Sequence, residues 1–240
     1  MAGQSKYEEF YYGYQTKARG LESAPNLTAA FERMSNDYDQ LFGPLMPKNG
    51  KALDVACGYG NMLYYFRRCG LEHIGFDLDP NQISLANSLG LNAHCGSLQD
   101  ELRNVGDVSI ISAMDVIEHL GKDDAVQFLQ NAHSILPVGG LLILKCPCAD
   151  GFTGAHDIFN DLTHKWGATS NVLKQMLQAV GFSRLQIIDI TLPPFPRGIR
   201  LKLKIRLRKI ARACVSPFMG LLGIRKPTIW SESVVVLAWK

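Results

Sequence analysis

The stretch from Lys51 to Asp79 reads KALDVACGYGNMLYYFRRCGLEHIGFDLD and decides the fold. A short apolar run ends in the turn Cys57-Gly58-Tyr59-Gly60, and after a helical stretch a second apolar run stops at Asp77. This order predicts a strand, a turn, a helix and a second strand, with ligand-binding groups at the strand ends. Glycine lets the backbone approach a ligand closely, and an acid such as Asp77 suits ribose hydroxyls. The unit therefore predicts a nucleoside site.

The turn differs from the one that binds dinucleotides. A pyrophosphate site requires G-x-G-x-x-G at the start of a helix, whereas residues 54–60 read D-x-A-C-G-x-G and Leu63 stands where the third glycine would fall. The carboxylate of Asp54 would repel a polyanion but suits a ligand that carries an ammonium and a sulfonium. An NAD(P)-dependent oxidoreductase is therefore disfavoured.

The rest of the chain continues to alternate between helical and apolar strand-like patterns. The predicted elements are helix Asn81–Leu89, strand Leu91–Cys95, a short helix from Ser97, strand Val105–Ala113, helix Lys122–Leu136, strand Leu141–Cys146, helix Ser170–Ala179, strand Arg184–Ile190 and strand Val234–Trp239. Such alternation predicts an α/β fold with a doubly wound, mostly parallel seven-stranded sheet. With 240 residues, 47% of them hydrophobic, the chain can form one catalytic domain with a full core.

The D-x-A-C-G-x-G run resembles motif I of the class I S-adenosylmethionine (SAM) methyltransferases, which have a Rossmann-like fold and usually carry glycine in place of Ala56. Other segments match the family in order: Gly96-Ser97-Leu98 where related enzymes contact adenine, the post-strand-four motif at residues 114–120, and Pro137-x-Gly139-Gly140 before strand five. The resemblance implies SAM as the cofactor. The residues it implies for cofactor binding are Asp54, Ala56, Gly58, Gly60, Asp77, Leu78, Ser97, Leu98 and Met114.

Two histidines are the candidate catalytic residues. Transfer from a sulfonium is a direct displacement, in which the protein aligns the acceptor and removes the proton of a hydroxyl acceptor. His164 follows strand five, in a segment 160–164 that resembles a motif of methyltransferases from sugar-modifying and surface-polysaccharide pathways, and His119 is the second candidate base. We therefore expect an oxygen of a sugar or glycan precursor as the acceptor. Small lipid, phenolic, protein and RNA acceptors remain open, as does a non-catalytic module that binds membranes or RNA.

No metal is predicted for this site. His156, Asp157 and Asp161 have side chains that bind divalent ions, and some related sugar methyltransferases use one, but their spacing alone is a weak signal. The six cysteines lack a paired C-x-x-C spacing, so reduced thiols are expected rather than zinc or disulfides.

Residues 1–50 are predicted as a helical lid in front of a SAM-binding domain at residues 51–240. The segment 6–14 is rich in aromatic residues, and a helix is expected from Asn26, as its N-cap, to Phe42. Related enzymes cover the cofactor with an N-terminal helix, although packing of the tyrosines on the domain edge is an equal alternative. Because neither a signal peptide nor a membrane span is recognisable, we expect a cytoplasmic enzyme.

Residues 191–231 form a basic amphipathic insertion before the last strand. They hold ten of the 25 basic residues and none of the 22 acidic ones. Apolar residues recur at both strand-like and helical spacing, so either geometry is amphipathic. We expect residues 197–224 to bind an anionic membrane surface, at the inner face of the membrane. An edge strand or a dimer interface is the alternative, nucleic acid is disfavoured because few aromatic residues are present, and no oligomeric state is predicted.

Overall fold

The computed structural model describes residues 24–98, 101–102 and 106–240. The aromatic segment 6–14, predicted to belong to the lid, lies outside these residues, as do Val105 and part of the short helix expected from Ser97. The α-helices are α1 (Ala24–Leu41), α2 (Asn61–Arg68), α3 (Pro80–Ser88), α4 (Lys122–Ile135), α5 (Gly154–Phe159), α6 (Ser170–Val180) and α7 (Ile199–Leu221). The strands are β1 (Lys51–Val55), β2 (Glu72–Asp77), β3 (Ala93–Cys95), β4 (Ile110–Met114), β5 (Leu141–Pro147), β6 (Arg184–Asp189) and β7 (Ser233–Trp239).

The strands form one seven-stranded sheet in the order β3-β2-β1-β4-β5-β7-β6. Strands β1 to β5 pair in parallel, whereas β7 runs antiparallel to both β5 and β6. The predicted fold class, a mostly parallel doubly wound sheet, is confirmed. The order reverses direction at β1 and β4, and open α/β sheets bind ligands at the carboxyl ends of the strands beside such a switch.

Helices cover both faces of the sheet. Successive residues of β1 point to opposite faces, so Leu53 and Val55 belong to one hydrophobic cluster and Ala52 to the other. The first cluster includes residues of α4 and α6, and the second includes residues of α1, α2 and α3. Because both faces are covered, the central strands are almost continuously apolar.

Helix α1 packs on α2 through aromatic rings. Tyr38 stacks on Phe42 with ring centroids 5.4 Å apart, and both rings meet Tyr65 edge-on. An ion pair joins the same two helices, since Arg68 Nη2 lies 2.8 Å from Asp39 Oδ2. These contacts hold α1 beside the carboxyl ends of the strands.

Some predicted boundaries were wrong. Helix α1 begins at Ala24, so Asn26 lies inside it and is not its N-cap. Strand β3 begins at Ala93 because the Leu91 amide still donates to a carbonyl at the end of α3. Strand β4 begins at Ile110, where its pairing with β1 starts, although the preceding Val108 is buried.

The basic segment, for which sequence left two geometries open, is helical over α7, so the edge-strand alternative was wrong. Two inward arginines hold α7 on the domain. Arg212 Nη1 lies 2.9 Å from Asp189 Oδ2, and Arg208 Nη1 donates to the Thr191 carbonyl at 2.8 Å. None of the helices in the described part of the chain combines the length and apolarity that crossing a bilayer requires. All six cysteines are free in the structure.

Candidate active site

A cavity of about 1320 Å³ opens at the carboxyl ends of β1, β2, β4 and β5. Its walls come from the loop after β1, the ends of the neighbouring strands, helix α1, the loop before α6 and the inner side of α7. The topology predicts a ligand at this edge of the sheet. The cavity is large enough for a nucleoside cofactor together with an acceptor.

The loop after β1 owes its shape to residues with left-handed backbone. Ala56, Gly58 and Gly60 have φ angles of +53°, +53° and +88°. A Cβ atom on Gly58 would lie 2.9 Å from Gln82 Oε1, and one on Gly60 would lie 2.6 Å from Leu91 Cδ1. Glycine therefore avoids both backbone strain and a close contact at these two positions. Ala56 adopts a conformation that costs an alanine of the order of 1 kcal/mol.

Asp77 ties this loop to the end of β2. Its Oδ2 accepts a hydrogen bond from the Gly58 amide at 2.9 Å, and its Oδ1 accepts one from the Asp79 amide at 2.9 Å. Burial raises the pKa of Asp77, although these backbone bonds act in the opposite direction. Each carboxylate oxygen keeps a lone pair, so Asp77 can still accept hydrogen bonds from two ribose hydroxyls.

Asp54 is a second carboxylate in the wall, and it is only 2% exposed. The Ser112 hydroxyl donates to its Oδ1 at 2.5 Å. Burial, with a contribution from the charge of Asp77, raises the pKa of Asp54 to about 7, against the opposing effect of Ser112. A cationic ligand in the cavity would favour the ionised form of this carboxyl group.

Eight of the nine residues predicted for cofactor binding line the cavity: Asp54, Ala56, Gly58, Asp77, Leu78, Ser97, Leu98 and Met114. Gly60 does not line it. Its amide instead donates to the Cys57 carbonyl at 2.8 Å, and the residue forms the N-cap of α2 against Leu91. Gly60 therefore contributes to the conformation of the loop without lining the cavity.

Helix α1 contributes Phe31, Met34 and Tyr38 to the wall of the cavity. Asn61, at the start of α2, donates to the Tyr38 hydroxyl at 3.2 Å and approaches the Met34 sulfur at 3.9 Å. This contact connects the wall to the loop after β1.

These features fit SAM. The Cβ-free position at Gly58 lets the backbone approach a nucleoside, Asp77 offers acceptors for ribose hydroxyls, and the carboxyl group of Asp54 suits positive charge. The residues that would hold the cofactor are thus those of the loop after β1, the end of β2 and the wall at Ser97 and Leu98.

The two predicted catalytic histidines meet in the other half of the cavity. The ring centroids of His119 and His164 lie 4.8 Å apart, although the residues are 45 positions apart in sequence. His119 ends a short 3-10 helix after β4, and His164 lies in the loop between α5 and α6. The ends of neighbouring parallel strands bring these segments together.

Hydrogen bonds fix the tautomer of both rings. His164 Nδ1 lies 2.7 Å from the Ile158 carbonyl oxygen, which can only accept, so Nδ1 carries the proton. The Thr163 hydroxyl donates to Asp161 Oδ1 at 2.6 Å, so it must accept from His119 Nδ1, 2.9 Å away. In the neutral form of either ring, Nε2 is therefore the unprotonated nitrogen.

Burial, together with the neighbouring His164, lowers the pKa of His119. The neutral form of His119 is thus favoured at neutral pH. Although partial burial of Asp161 acts in the opposite direction, the hydrogen bonds from Thr163 lower the pKa of this carboxyl group and keep it ionised. The Asp161-Thr163-His119 chain is consequently oriented in one direction.

Glu118 lies behind the two histidines and is only 3% exposed. Neither of its carboxylate oxygens has a hydrogen-bond partner, and Oε1 is 3.9 Å from His164 Nε2. Burial, followed by the charge of Asp115, raises the pKa of Glu118 to about 8. The carboxyl group is therefore mostly protonated at neutral pH.

Within the residues that the structure describes, Glu118, His119 and His164 form one group whose donor atoms all lie within 4.8 Å of one another. Two neutral imidazoles and a carboxylate can hold a divalent cation. The residues considered from sequence, His156, Asp157 and Asp161, do not form such a group in the described part of the chain. His156 Nδ1 lies 3.3 Å from Asp157 Oδ1, and His156 is largely exposed.

Sequence reasoning did not single out four other residues of this half-site. Asp115 has a left-handed φ of +57°, and Lys145 Nζ lies 2.7 Å from its Oδ1. Thr163 and Glu118 are buried beside the histidines. Glu118 and Asp115 lie within the 114–120 motif and Thr163 lies within the 160–164 motif, so these motifs were the available signal for the three residues.

Comparisons with known proteins identify the family of this chain. Residues 27–187 match a family model described as a methyltransferase domain. The chain is 27% identical over 168 residues to a ubiquinone biosynthesis O-methyltransferase of Rhodopseudomonas palustris, which covers 63% of this chain and 63% of that protein. It is 29% identical over 130 residues to "Probable fatty acid methyltransferase" of Mycobacterium tuberculosis, which covers 51% of this chain and 30% of that protein.

The chain thus spans less than two thirds of the length of these relatives. Among solved structures, a SAM-dependent methyltransferase from Archaeoglobus fulgidus superposes with a TM-score of 0.64 at 18% identity, covering 96% of this chain and 100% of that one. At that identity the likeness concerns the fold.

Proposed function

Since the chain belongs to the methyltransferase domain family, we propose that it transfers a methyl group from SAM to a hydroxyl oxygen of a sugar or glycan precursor. The observation that supports this proposal is the pair of imidazoles, His119 and His164, in the same cavity as the loop after β1. Bound SAM supplies a methyl group on a positively charged sulfur. The chain's own residues supply orientation and an acceptor for the proton.

The two Nε2 atoms are the proton acceptors in this proposal. A neutral imidazole takes a proton from a hydroxyl that lies within hydrogen-bonding reach. When His119 becomes protonated, the Asp161-Thr163 chain stabilises the positive charge through Nδ1. His164 gains the same support from the Ile158 carbonyl.

The lining of this half of the cavity favours an acceptor with several hydroxyl groups. Polar side chains surround the histidines there, namely Asp115, Lys145, Asp157, Asn160, Asp161, Thr163 and Lys165. Asp115 and Lys145 already pair with each other, as do Asp161 and Thr163, but Asp157 Oδ2 is buried without a hydrogen-bond partner. A sugar hydroxyl can donate to this oxygen, whereas a fatty chain would leave it unpaired. The named O-methyltransferase relatives favour a phenol as the second candidate acceptor.

Turnover of SAM to S-adenosylhomocysteine with a panel of acceptors tests this proposal. The panel contains nucleotide-linked and lipid-linked sugars, a catechol and a fatty acid. We expect methylated product with a sugar. If only the catechol gave product, the acceptor would be a phenol and not a sugar. SAM binding in calorimetry without turnover on any acceptor, under conditions where a reference methyltransferase is active, would favour a non-catalytic module.

Substitution of each histidine tests the proton acceptors. His164→Ala and His119→Ala should each lower kcat by about 10²–10⁴, with little change in SAM affinity. His133→Ala, on α4 outside the cavity, is the matched control. Wild-type rates in both site variants would contradict the proposal. Loss of activity with a chelator, restored by Mg²⁺ or Mn²⁺, would assign Glu118, His119 and His164 to cation binding instead.

A further inference from the structure

Helix α7 is amphipathic in an unusual sense, because its apolar stripe faces solvent. Successive residues of an α-helix are about 100° apart around its axis. Leu201, Ile205, Arg208, Arg212 and Met219 fall on the side that faces the domain. The opposite side carries Ile199, Leu203, Leu207, Ile210, Phe218 and Leu221, which are 53–83% exposed.

Basic residues border this stripe on both sides. Arg200 and Lys204 lie along one border, and Lys202, Arg206 and Lys209 lie along the other, all of them exposed. No acidic residue occurs between residues 191 and 231. In the described part of the chain, none of these five side chains takes part in an ion pair.

The basic residues on the two faces of α7 therefore differ in whether they are paired. The inward arginines are neutralised or hydrogen-bonded, as shown by the 2.9 Å pair of Arg212 with Asp189. The outward basic residues and the apolar stripe between them are left to solvent. A helix that only faces water is normally polar on its outer side, so this arrangement indicates a missing partner.

We propose that the outer face of α7 docks on the surface of an anionic lipid bilayer. An apolar stripe flanked by lysine and arginine suits a helix that lies in the membrane interface, with the stripe among the acyl chains and the charges at the headgroups. Both halves of that chemistry are present on the same face. The exposed Leu222 and Ile224 just beyond α7 extend the apolar surface.

Other partners fit this face less well. In a symmetric dimer formed through α7, five unpaired positive charges would face five more, which is unfavourable. Phe218 is the single aromatic residue on α7. Surfaces that bind single-stranded nucleic acid stack several bases on aromatic side chains, so nucleic acid fits this helix less well. Lipid is the partner that uses both the charge and the apolar stripe.

Docking would bring the cavity close to the membrane. Leu201 and Arg208, on the inner side of α7, line the cavity. A helix is about 10 Å in diameter, so the cavity wall and the lipid surface would be separated by about that distance. An acceptor carried on a membrane lipid would then be within reach.

Vesicle co-sedimentation of the full chain tests the docking. Wild type should pellet with vesicles of phosphatidylcholine and phosphatidylglycerol, but not with phosphatidylcholine alone, and less at high salt. In a charge variant, Arg200, Lys202, Lys204 and Arg206 are each changed to Gln. Each basic residue contributes about fivefold to the partition coefficient, so this variant should partition about 100-fold to 1000-fold less.

A second variant and a matched control complete the design. An apolar variant with Leu203→Ser, Leu207→Ser and Ile210→Ser should also stay in solution. The control changes Arg33, Lys48, Lys122 and Lys174 to Gln, which removes the same charge from exposed positions outside α7, and it should pellet like wild type. None of the substituted residues lines the cavity, so unchanged SAM binding in calorimetry verifies that each variant is folded.

Several results would overturn the proposal. Equal pelleting of the control and charge variants would show that only overall charge matters. Absence of wild-type binding to anionic vesicles would remove the membrane as partner. In that case, a change of mass in the apolar variant by light scattering would assign the face to a second copy of the chain, and a shift of labelled RNA by wild type alone would assign it to nucleic acid.

Discussion

The Thr163 hydroxyl lies 2.9 Å from Nδ1 of His119, and its own proton points at Asp161. Because a hydroxyl has one proton, this contact determines which ring nitrogen of His119 is free. The orientation of the imidazole is thus controlled by a residue that follows a different strand.

Thr163→Val should therefore disturb the reaction without affecting SAM binding. The substitution keeps the shape of the side chain but removes the hydroxyl, so His119 loses its fixed tautomer. We expect kcat to fall about 10-fold to 100-fold, a part of the 10²–10⁴ that a positioned base contributes. Thr163→Ser is the matched control and should retain most of the activity. A pH profile unchanged from wild type in Thr163→Val would show that the residue has only a packing role.

Asp54 should make both stability and cofactor affinity depend on pH. The pKa of its carboxyl group is about 7 in the folded chain, above the ordinary 3.8 expected on unfolding. Folding favours the protonated form of Asp54. Its contribution to stability is therefore complete below pH 4 and is lost as pH rises to 7, so the free energy of unfolding should decrease over that interval. Asp54→Asn should remove this decrease and raise the free energy of unfolding at pH 8 by about 1–4 kcal/mol.

The same substitution should weaken cofactor binding. Ionised Asp54 attracts the positive charges of SAM, so wild-type affinity should increase as pH passes 7, and Asp54→Asn should lack the increase. Denaturant unfolding and calorimetry between pH 5 and 8 measure the two effects. Asp107→Asn, at an exposed position, is the control. If Asp54→Asn and wild type bound SAM with the same pH dependence, Asp54 would not face the cofactor's charge.

Asp77→Ala should lower the affinity for SAM by about 2–4 kcal/mol, because charged hydrogen bonds to ribose hydroxyls are worth about 1.5–3 kcal/mol each and are not additive. The variant should also unfold more easily, since the amides of Gly58 and Asp79 lose their acceptor. Comparing calorimetry with thermal unfolding separates the two effects. Unchanged affinity in a folded variant would remove Asp77 from the cofactor site.

Gly58→Val gives an independent test of the same loop. Its side chain would collide with Gln82 and occupy the cavity wall, so SAM binding should be lost. Gln82→Ala in the same chain relieves the collision at Gln82 but leaves the side chain in the cavity. Binding restored by that second change would mean that Gly58 serves only the packing of the loop.

We propose that α1 acts as a lid over the cofactor, because Phe31, Met34 and Tyr38 line the same cavity as the loop after β1. Hydrogen exchange should then slow in residues 30–41 when SAM binds, as the ligand fills the space beneath the helix. Residues of α6 provide the internal control, since α6 does not line the cavity. Equal hydrogen exchange of α1 with and without SAM would show that the helix is part of the cavity wall and does not act as a lid.

The sheet and the loop after β1 could be predicted because their signals are local. The apolar runs of β1 and β5 and the glycines at positions 58 and 60 each follow from short-range chemistry. The proximity of His119 to His164 could also be predicted, since the two residues follow neighbouring parallel strands. In each case the order of the chain was sufficient.

The remainder depended on packing. Burial of Glu118 among other side chains, and the left-handed backbone of Asp115, arise from the close approach of two loops. The sequence left the geometry of α7 ambiguous. Leu203 and Leu207 are each two residues from Ile205, which is strand spacing, and they also follow Ile199 at intervals of four, which is helical spacing. The anchoring of Arg212 by Asp189 favours the helix, and that contact joins residues 23 positions apart.

The antiparallel course of β7 has a consequence for how this scaffold can diversify. Since β7 starts beside Pro147 and Asp189, the segment that joins β6 to β7 leaves and re-enters the sheet at the edge where the cavity opens. A segment of any length grafted there arrives beside the reacting groups, while the loop after β1 stays untouched. Replacement of this segment can therefore change the surface beside the cavity while the strand pairing that carries the loop after β1 is kept.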